Sequence, residues 1–235
     1  MKKKDIVFAV LGGLFAVTCV RLGIWQLDRL SERKTFNKSL IARAEAQPIP
    51  PGQLPKDTAA RRFVRVILDG AYDYGNEIRI LNRTRNGSPG VNIITPVRTA
   101  GSDTALLVNR GWVYAPDGMT VDLSQWRESN TVHGEGYVEN YRTGTGDPKS
   151  KSHPRAYRWL DSGVSKAFPY PVQPYFVVLI GDSGKTAPNV PPRVEVPPLD
   201  EGPHRNYAIQ WFSFAAISIF GTILYLRRKN DTRVS

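Results

Sequence analysis

A hydrophobic segment lies near each end of the chain, and this arrangement constrains the fold more than any other feature of the sequence. The first segment, residues 6–25, is interrupted only by Arg21, and the second, residues 207–226, has no charged residue. Each has 20 residues, and a helix of that length rises about 30 Å, the thickness of a bilayer's hydrocarbon core. The sequence therefore predicts a membrane protein with two transmembrane helices flanking a separate domain.

Basic residues flank both segments on the side of the chain termini. Residues 2–4 are all lysine, and residues 227–229 are Arg, Arg and Lys. Because short basic flanks stay cytoplasmic, we expect both termini in the cytoplasm and the main domain in the periplasm. The first residues do not resemble an organelle presequence, so a bacterial inner membrane is expected. The expected division is 1–25 for the tail and first helix, 26–203 for the periplasmic domain, and 204–235 for the second helix and basic tail.

A cleaved signal peptide is the alternative interpretation of the first segment. Its apolar run is long, and no small-x-small cleavage site follows it. We therefore favour an uncleaved anchor.

Cysteine content and charge exclude several classes of function. The only cysteine, Cys19, falls inside the first hydrophobic segment, so a disulfide framework, a CxxC pair and a CxxCH haem attachment are excluded. The pI of about 9.9 is explained by topology signals and by attraction to lipid headgroups, and no nucleic-acid partner is expected.

The middle of the chain predicts a helix followed by short strands. Residues 27–47 lack Gly and Pro and predict a juxtamembrane helix that continues from, or lies just beyond, the first span; prolines in 48–55 end it. Turn-forming sequences at Asp69-Gly70, Asn86-Gly87 and 100–103 divide the strands. This pattern is typical of a mainly antiparallel β domain, a sheet or a barrel. The predicted strands are 62–68, 77–81, 91–95, 105–108, 175–180, and 131–140 with interruptions at Gly134 and Gly136.

Two segments stand apart from the strands. Residues 141–155 form a long basic loop to which we assign no role. Residues 186–203 contain six prolines and predict an extended spacer before the second span.

Motifs of common enzymes are missing or incomplete. Residues 181–186 resemble the end of a phosphate-binding loop, but Leu179 occupies the position of the first glycine and prolines prevent the required helix. His133 and His153 have no metal-ligand spacing around them, and we interpret both as surface residues.

His204 precedes the second span and begins a patterned helical face. Helical spacing places Ala208, Trp211, Ala215 and Ser218 on its side. One interpretation is a groove for a flat apolar ligand with an imidazole above it, since imidazole is a common haem-iron ligand. The other is helix packing, because small residues let membrane helices approach and the first span also contains Gly12, Gly13 and Ala16.

Four motifs, in order, resemble the surfeit-locus (Shy-type) family of cytochrome c oxidase assembly factors. They are LGIWQLDR at 22–29, NRTRNGSPG at 82–90, VNRGWV at 108–113 and PHRNYAIQWF at 203–212. The resemblance implies a non-enzymatic factor that assists maturation of the oxidase catalytic subunit and works with haem a biosynthesis proteins.

The resemblance also implies a site. Bacterial members are implied to bind haem a, with His204 and Trp211 as the candidate site and His204 as a ligand of the haem iron. Arg110 is expected to pair with a carboxylate or a haem propionate, Trp112 to anchor the core, and Gly111 to permit a tight turn or bulge after the strand. A scaffold without haem and an enzyme of haem maturation are the alternative functions.

Overall fold

The computed structural model describes residues 3–181, 187–194, 196 and 199–231. The chain divides into two compact units, Met1–Ser39 with Pro198–Ser235, and Leu40–Pro197. Most of the segment that resembles a phosphate-binding loop, residues 182–186, and parts of the proline-rich spacer lie outside the described residues.

Two long helices make up most of the first unit. Helix α1 spans Lys3–Glu45, its last six residues belonging to the second unit, and helix α3 spans His204–Asp231; the short α2 between them in sequence spans Thr58–Arg61. In the described part of the chain, α1 and α3 are the two helices long and apolar enough to cross a membrane. The 43 residues of α1 rise about 65 Å, so the predicted juxtamembrane helix continues from the first span without a break.

The second unit is built on a β-sheet that closes on itself. Among the described residues, seven strands pair in the order β1-β5-β7-β4-β3-β2-β6, and β1 also pairs with β3. The strands are β1 Arg65–Tyr72, β2 Ile78–Arg85, β3 Ser88–Arg98, β4 Ala105–Tyr114, β5 Thr131–Asn140, β6 Ala156–Tyr157 and β7 Val172–Leu179.

Closure depends on the length of β3, which shares one of its edges between two partners. Its first part pairs with β2 from Ser88 to Ile94, and its end pairs with β1 through Val97 and Arg98. The pairings of β4 with β7 and of β2 with β6 are parallel, and the others are antiparallel. The domain is therefore mainly antiparallel, as expected. A core cluster that includes Val66, Val97, Leu106, Val108, Val138 and Val177 joins the strands of the closed ring.

The structure corrects two predictions made from glycines. Asp69-Gly70 is not a turn but lies inside β1, where Gly70 pairs with Val132. A Cβ on Gly70 would lie 2.6 Å from the carbonyl oxygen of Arg98, so glycine here permits the close approach of β1 and β3 that closes the sheet. Strand β5 likewise continues through Gly134 and Gly136 without interruption.

The other predicted turns are present. Asn86 and Gly87, with φ of 49° and 78°, connect β2 to β3 in the left-handed geometry that favours Asn-Gly in two-residue hairpins. Residues 100–103 connect β3 to β4, with Gly101 at φ 76°.

Candidate functional site

Helices α1 and α3 each present one covered face in the first unit. The buried or half-buried residues recur at intervals of three and four residues, the spacing of helices packed along a shared seam. On α3 they include His204, Ala208, Trp211, Ala215, Ser218 and Thr222. On α1 they include Asp5, Ala9, Gly12, Ala16, Cys19, Gly23 and Gln26.

Small residues of α1 allow the two helices to approach closely along this seam. The hydroxyl of Ser218 donates a hydrogen bond of 2.9 Å to the carbonyl oxygen of Gly12. A Cβ on Gly23 would lie 2.8 Å from the ring of Phe212. The patterned face predicted below His204 is therefore covered by α1 through these contacts, as expected for helix packing in membranes.

Polar contacts lie at both ends of the seam. At one end Lys229 pairs with the buried carboxylate of Asp5. At the other, Nδ1 of His204 lies 2.8 Å from Oε1 of Gln26, and Gln26 is only 8% exposed. The two ends are thus matched by side chains that can recognise each other, which sets the helix register.

The contact with Gln26 bears on which ring nitrogen of His204 carries the proton. An amide oxygen only accepts, so a neutral imidazole that donates to it has its proton on Nδ1 and its lone pair on Nε2. Gly202 adjoins that nitrogen, since a Cβ there would lie 3.5 Å from Nε2. The half-buried imidazole of His204 therefore has one nitrogen engaged by Gln26, and its other nitrogen lies beside a position that has no side chain.

Trp211 lies on the same face as His204, two helical turns further along α3. Seven residues correspond to a rise of about 10.5 Å. The half-buried indole packs edge-to-face on Phe214, with ring centroids 6.0 Å apart. Among the described residues there is no group of three or more His, Cys, Asp or Glu that could hold a metal ion.

Arg110 lies in the second unit, at a bulge of β4. Ile93 pairs with Gly111 and Ile94 pairs with Asn109, so Arg110 is the extra residue. Gly111 has φ of 148°, a region that glycine occupies readily. The bulge expected of Gly111 is thus present, but within the strand rather than after it.

The bulge directs Arg110 into the interior, where it is fully buried. Its guanidinium donates to Oε1 of Glu77 at 2.6 Å, to Oγ1 of Thr95 at 2.7 Å and to the carbonyl oxygen of Trp126 at 2.5 Å. Of the two partners expected for Arg110, the structure shows a carboxylate. Such a buried charge is stable only because it is paired and its donors are bonded.

A second ion pair extends this cluster to the proline-rich segment. Arg193 donates to the carbonyl oxygen of Arg110 at 2.5 Å and to Oε2 of Glu128 at 2.6 Å. Oε1 of Glu128 is also 3.3 Å from the Arg110 guanidinium. Burial, reinforced by the charge of Glu128, raises the pKa of the nearby Tyr72 above its ordinary value, so this phenol stays neutral. In this cluster the positive charges of two arginines are balanced by the negative charges of two carboxylates.

Trp112 also fastens the proline-rich segment to β4. Its backbone N–H donates to the carbonyl oxygen of Pro192 at 2.9 Å, and its indole N–H donates to that of Arg83 at 3.0 Å. The half-buried ring lies against Gly90. The segment predicted as a spacer is therefore docked on the VNRGWV motif at Pro192 and Arg193.

Sequence reasoning missed the partners of both sites. For His204 the missed residue is Gln26, although its position in the three-and-four spacing with Gly23 and Cys19 was a usable signal. For Arg110 the missed residues are Glu77, Glu128 and Arg193. No local spacing relates them to Arg110, because they come from separate parts of the chain.

The fold and site define a class of protein in which two long apolar helices bracket a closed β domain in the sequence. A family model described as the SURF1 family matches residues 13–216. This chain belongs to the SURF1 family.

Individual relatives agree with this assignment. The chain is 26% identical over 245 residues to a SURF1-like protein of Monosiga brevicollis, with 94% of this chain and 90% of that protein covered. A SURF1-like protein of Rickettsia felis is 22% identical over 212 residues, covering 88% and 92%. The cytochrome oxidase assembly protein SHY1 of Saccharomyces cerevisiae is 30% identical over 120 residues, which span 46% of this chain and 30% of the yeast protein.

Proposed function

We propose that this protein is a non-enzymatic assembly factor for haem-copper cytochrome c oxidase. Membership of the SURF1 family is the observation that carries the proposal, because the family includes a yeast relative named for oxidase assembly. Its partners would be the oxidase catalytic subunit and the proteins that synthesise haem a.

The proposed location is the inner membrane of a bacterium. The two long apolar helices support membrane anchoring, and the basic residues at 2–4 and 227–229 support cytoplasmic termini. The β domain would then lie in the periplasm. Alkaline phosphatase fused after residue 140 should be active and a fusion at the C-terminus inactive, whereas the reverse pattern would contradict this topology.

The proposed cargo is haem a, held at His204 with Trp211 on the same helical face. The chemistry of the donor fits, since Nδ1 of His204 is engaged by Gln26, a neutral ring that donates from Nδ1 offers the lone pair of Nε2, and Gly202 has no side chain beside that nitrogen. When bound, haem a would supply an iron for which a neutral imidazole is a suitable ligand. His204 would bind the iron, and the half-buried indole of Trp211 would contribute apolar surface nearby.

One observation favours a scaffold that binds no haem as the second candidate. Helix α1 covers the face below His204, through Gly12 and Gly23, where a groove was one of the two expectations. In that case His204 acts with Gln26 as a helix-pairing contact, and the protein assists the oxidase through its domain and helices alone.

Deletion and complementation test the assembly role. A strain without this gene should contain less haem a-type oxidase, measured from membrane absorption spectra, and the wild-type gene should restore it. Normal oxidase levels in the deletion strain would contradict the proposal. Complementation with His204→Gln separates the candidates, because glutamine can keep a hydrogen bond to Gln26 but removes the imidazole, so a haem holder should restore oxidase poorly and a scaffold fully. His133→Gln, at an exposed histidine of the β domain, is the matched control.

A further inference from the structure

Gln26 is a buried polar residue at one end of the seam between α1 and α3. Its flanking residues, Trp25 and Leu27, are exposed, whereas Gln26 faces α3 with 8% exposure. A buried amide without a hydrogen bond is destabilising, and here the bond is made to the imidazole of His204. An apolar side chain at position 26 would be enough if this position only packed against α3. We therefore attribute to the amide a specific effect on the imidazole of His204.

That effect is on the tautomer of His204. A neutral imidazole has one N–H, and an acceptor at Nδ1 holds the proton on that atom. Nε2 is then free to bind a metal. If the Gln26 amide were turned to present its NH₂ group, the proton would move to Nε2 and that nitrogen could not act as a ligand.

We propose that Gln26 is the positioning residue of the haem site, and that its amide oxygen holds His204 in the tautomer and orientation that present Nε2 to iron. This inference rests on the proposed function. In protein metal sites a ligating histidine generally donates its second N–H to an acceptor that orients the ring, and removal of that acceptor weakens metal binding about 10–100-fold.

The two residues belong to different helices, so ligand orientation depends on helix pairing. Gln26 lies on α1 and His204 begins α3. The contacts of Ser218 with Gly12 and of Phe212 with Gly23 bring the helices together along the same seam. The ligand nitrogen is therefore oriented only when the two helices are paired.

Nitrogen NMR of the haem-free protein tests the tautomer. Full-length protein labelled with ¹⁵N-histidine, in detergent micelles and in alkaline buffer, should show a protonated Nδ1 and an unprotonated Nε2 for His204. His204→Ala identifies the signals. Gln26→Leu should lose this preference, while Gln26→Glu, which can only accept, should keep it. A proton on Nε2 in the wild type, or an unchanged pattern in Gln26→Leu, would overturn the inference.

Titration with haem a tests the ligand role in the same preparations. Gln26→Leu should bind about 10–100-fold more weakly than wild type, and Gln26→Glu should restore affinity. Gln210→Leu, at an exposed position off the covered face of α3, is the matched control and should bind like wild type. If the wild type binds haem a and Gln26→Leu binds it equally well, the role of Gln26 is overturned while the proposed cargo stands. A wild type that binds no haem would overturn the proposed cargo and, with it, this inference.

Discussion

Replacement of Arg110 by methionine should destabilise the β domain strongly. Arg110 is fully buried and Glu77 is only 4% exposed, and their charges are joined at 2.6 Å. In Arg110→Met the Glu77 carboxylate stays buried without its cation, and the bonds to Thr95 and to the Trp126 carbonyl are lost. Breaking a buried pair in this way costs about 3–5 kcal/mol. For a domain of this size that corresponds to a fall in Tm of roughly 6–20 °C.

Unfolding of the full-length protein in detergent micelles measures this cost. Tryptophan fluorescence reports on the β domain, which contains Trp112, Trp126 and Trp159. The matched control is Arg62→Met, which breaks the pair with Glu139, where the side chains are 40% and 16% exposed. Such a partly solvated pair contributes about 0–1 kcal/mol.

A double variant separates pairing from packing. Arg110→Met with Glu77→Met removes both charges, so it should recover part of the stability lost in Arg110→Met. A loss of stability in Arg110→Met no larger than that in Arg62→Met would contradict a buried charge that depends on its partner. Simple additivity of the substitutions at 110 and 77 would contradict it as well.

Three further changes follow from the geometry. Gly111→Ala should lower the free energy of unfolding by about 1–3 kcal/mol, because its φ of 148° strains any other residue. Hydrogen bonds from the Thr120 side chain and from backbone N–H groups lower the pKa of Asp117 from 3.8 to about 2. The contribution of this carboxylate to stability is therefore present above about pH 4 and lost as the pH falls towards 2. Asp117→Asn should flatten the dependence of stability on pH between these values. Gly12→Leu should separate α1 from α3 and make Cys19, now 1% exposed, react with maleimide about tenfold faster or more, since overpacking costs about 1–3 kcal/mol.

Each change has a control or a contradicting outcome. Gly144→Ala is the control for Gly111→Ala. An added Cβ at Gly144 meets nothing within 4 Å, so this substitution should leave the free energy of unfolding unchanged. An unaltered acid limb in Asp117→Asn would contradict the role of that carboxylate. Gly13→Leu, also in open space, should leave Cys19 protected, and equal labelling of the Gly12 and Gly13 variants would contradict the close seam.

Local patterns predicted most of the elements of this fold but not how they pair. Apolar length predicted α1 and α3, and β-branched runs predicted most of the strands. The two-residue β6 was missed because it has no pattern of its own. Gly70 was misassigned to a turn because its purpose, the approach of β1 to β3, depends on Arg98 far along the chain. The parallel pairing of β4 with β7 is equally non-local.

The candidate sites show the same limit. Helical spacing correctly placed His204, Trp211 and the small residues of α3 on one face, but the spacing alone could not decide what covers that face. The partner of His204 is 178 residues away in sequence. Arg110 was recognised only as part of a motif. Charged residues are rarely buried, and the carboxylates that make the burial of Arg110 possible come from other parts of the chain.

Copurification tests the central proposal most directly. The full-length protein would be isolated from cells that synthesise haem a but lack the oxidase subunits, and its haem content measured by absorption and extraction, with His204→Ala prepared in parallel. We expect haem a to be bound to the wild type and largely lost from His204→Ala. Wild-type protein free of haem a, or His204→Ala carrying as much as the wild type, would contradict haem binding at this histidine.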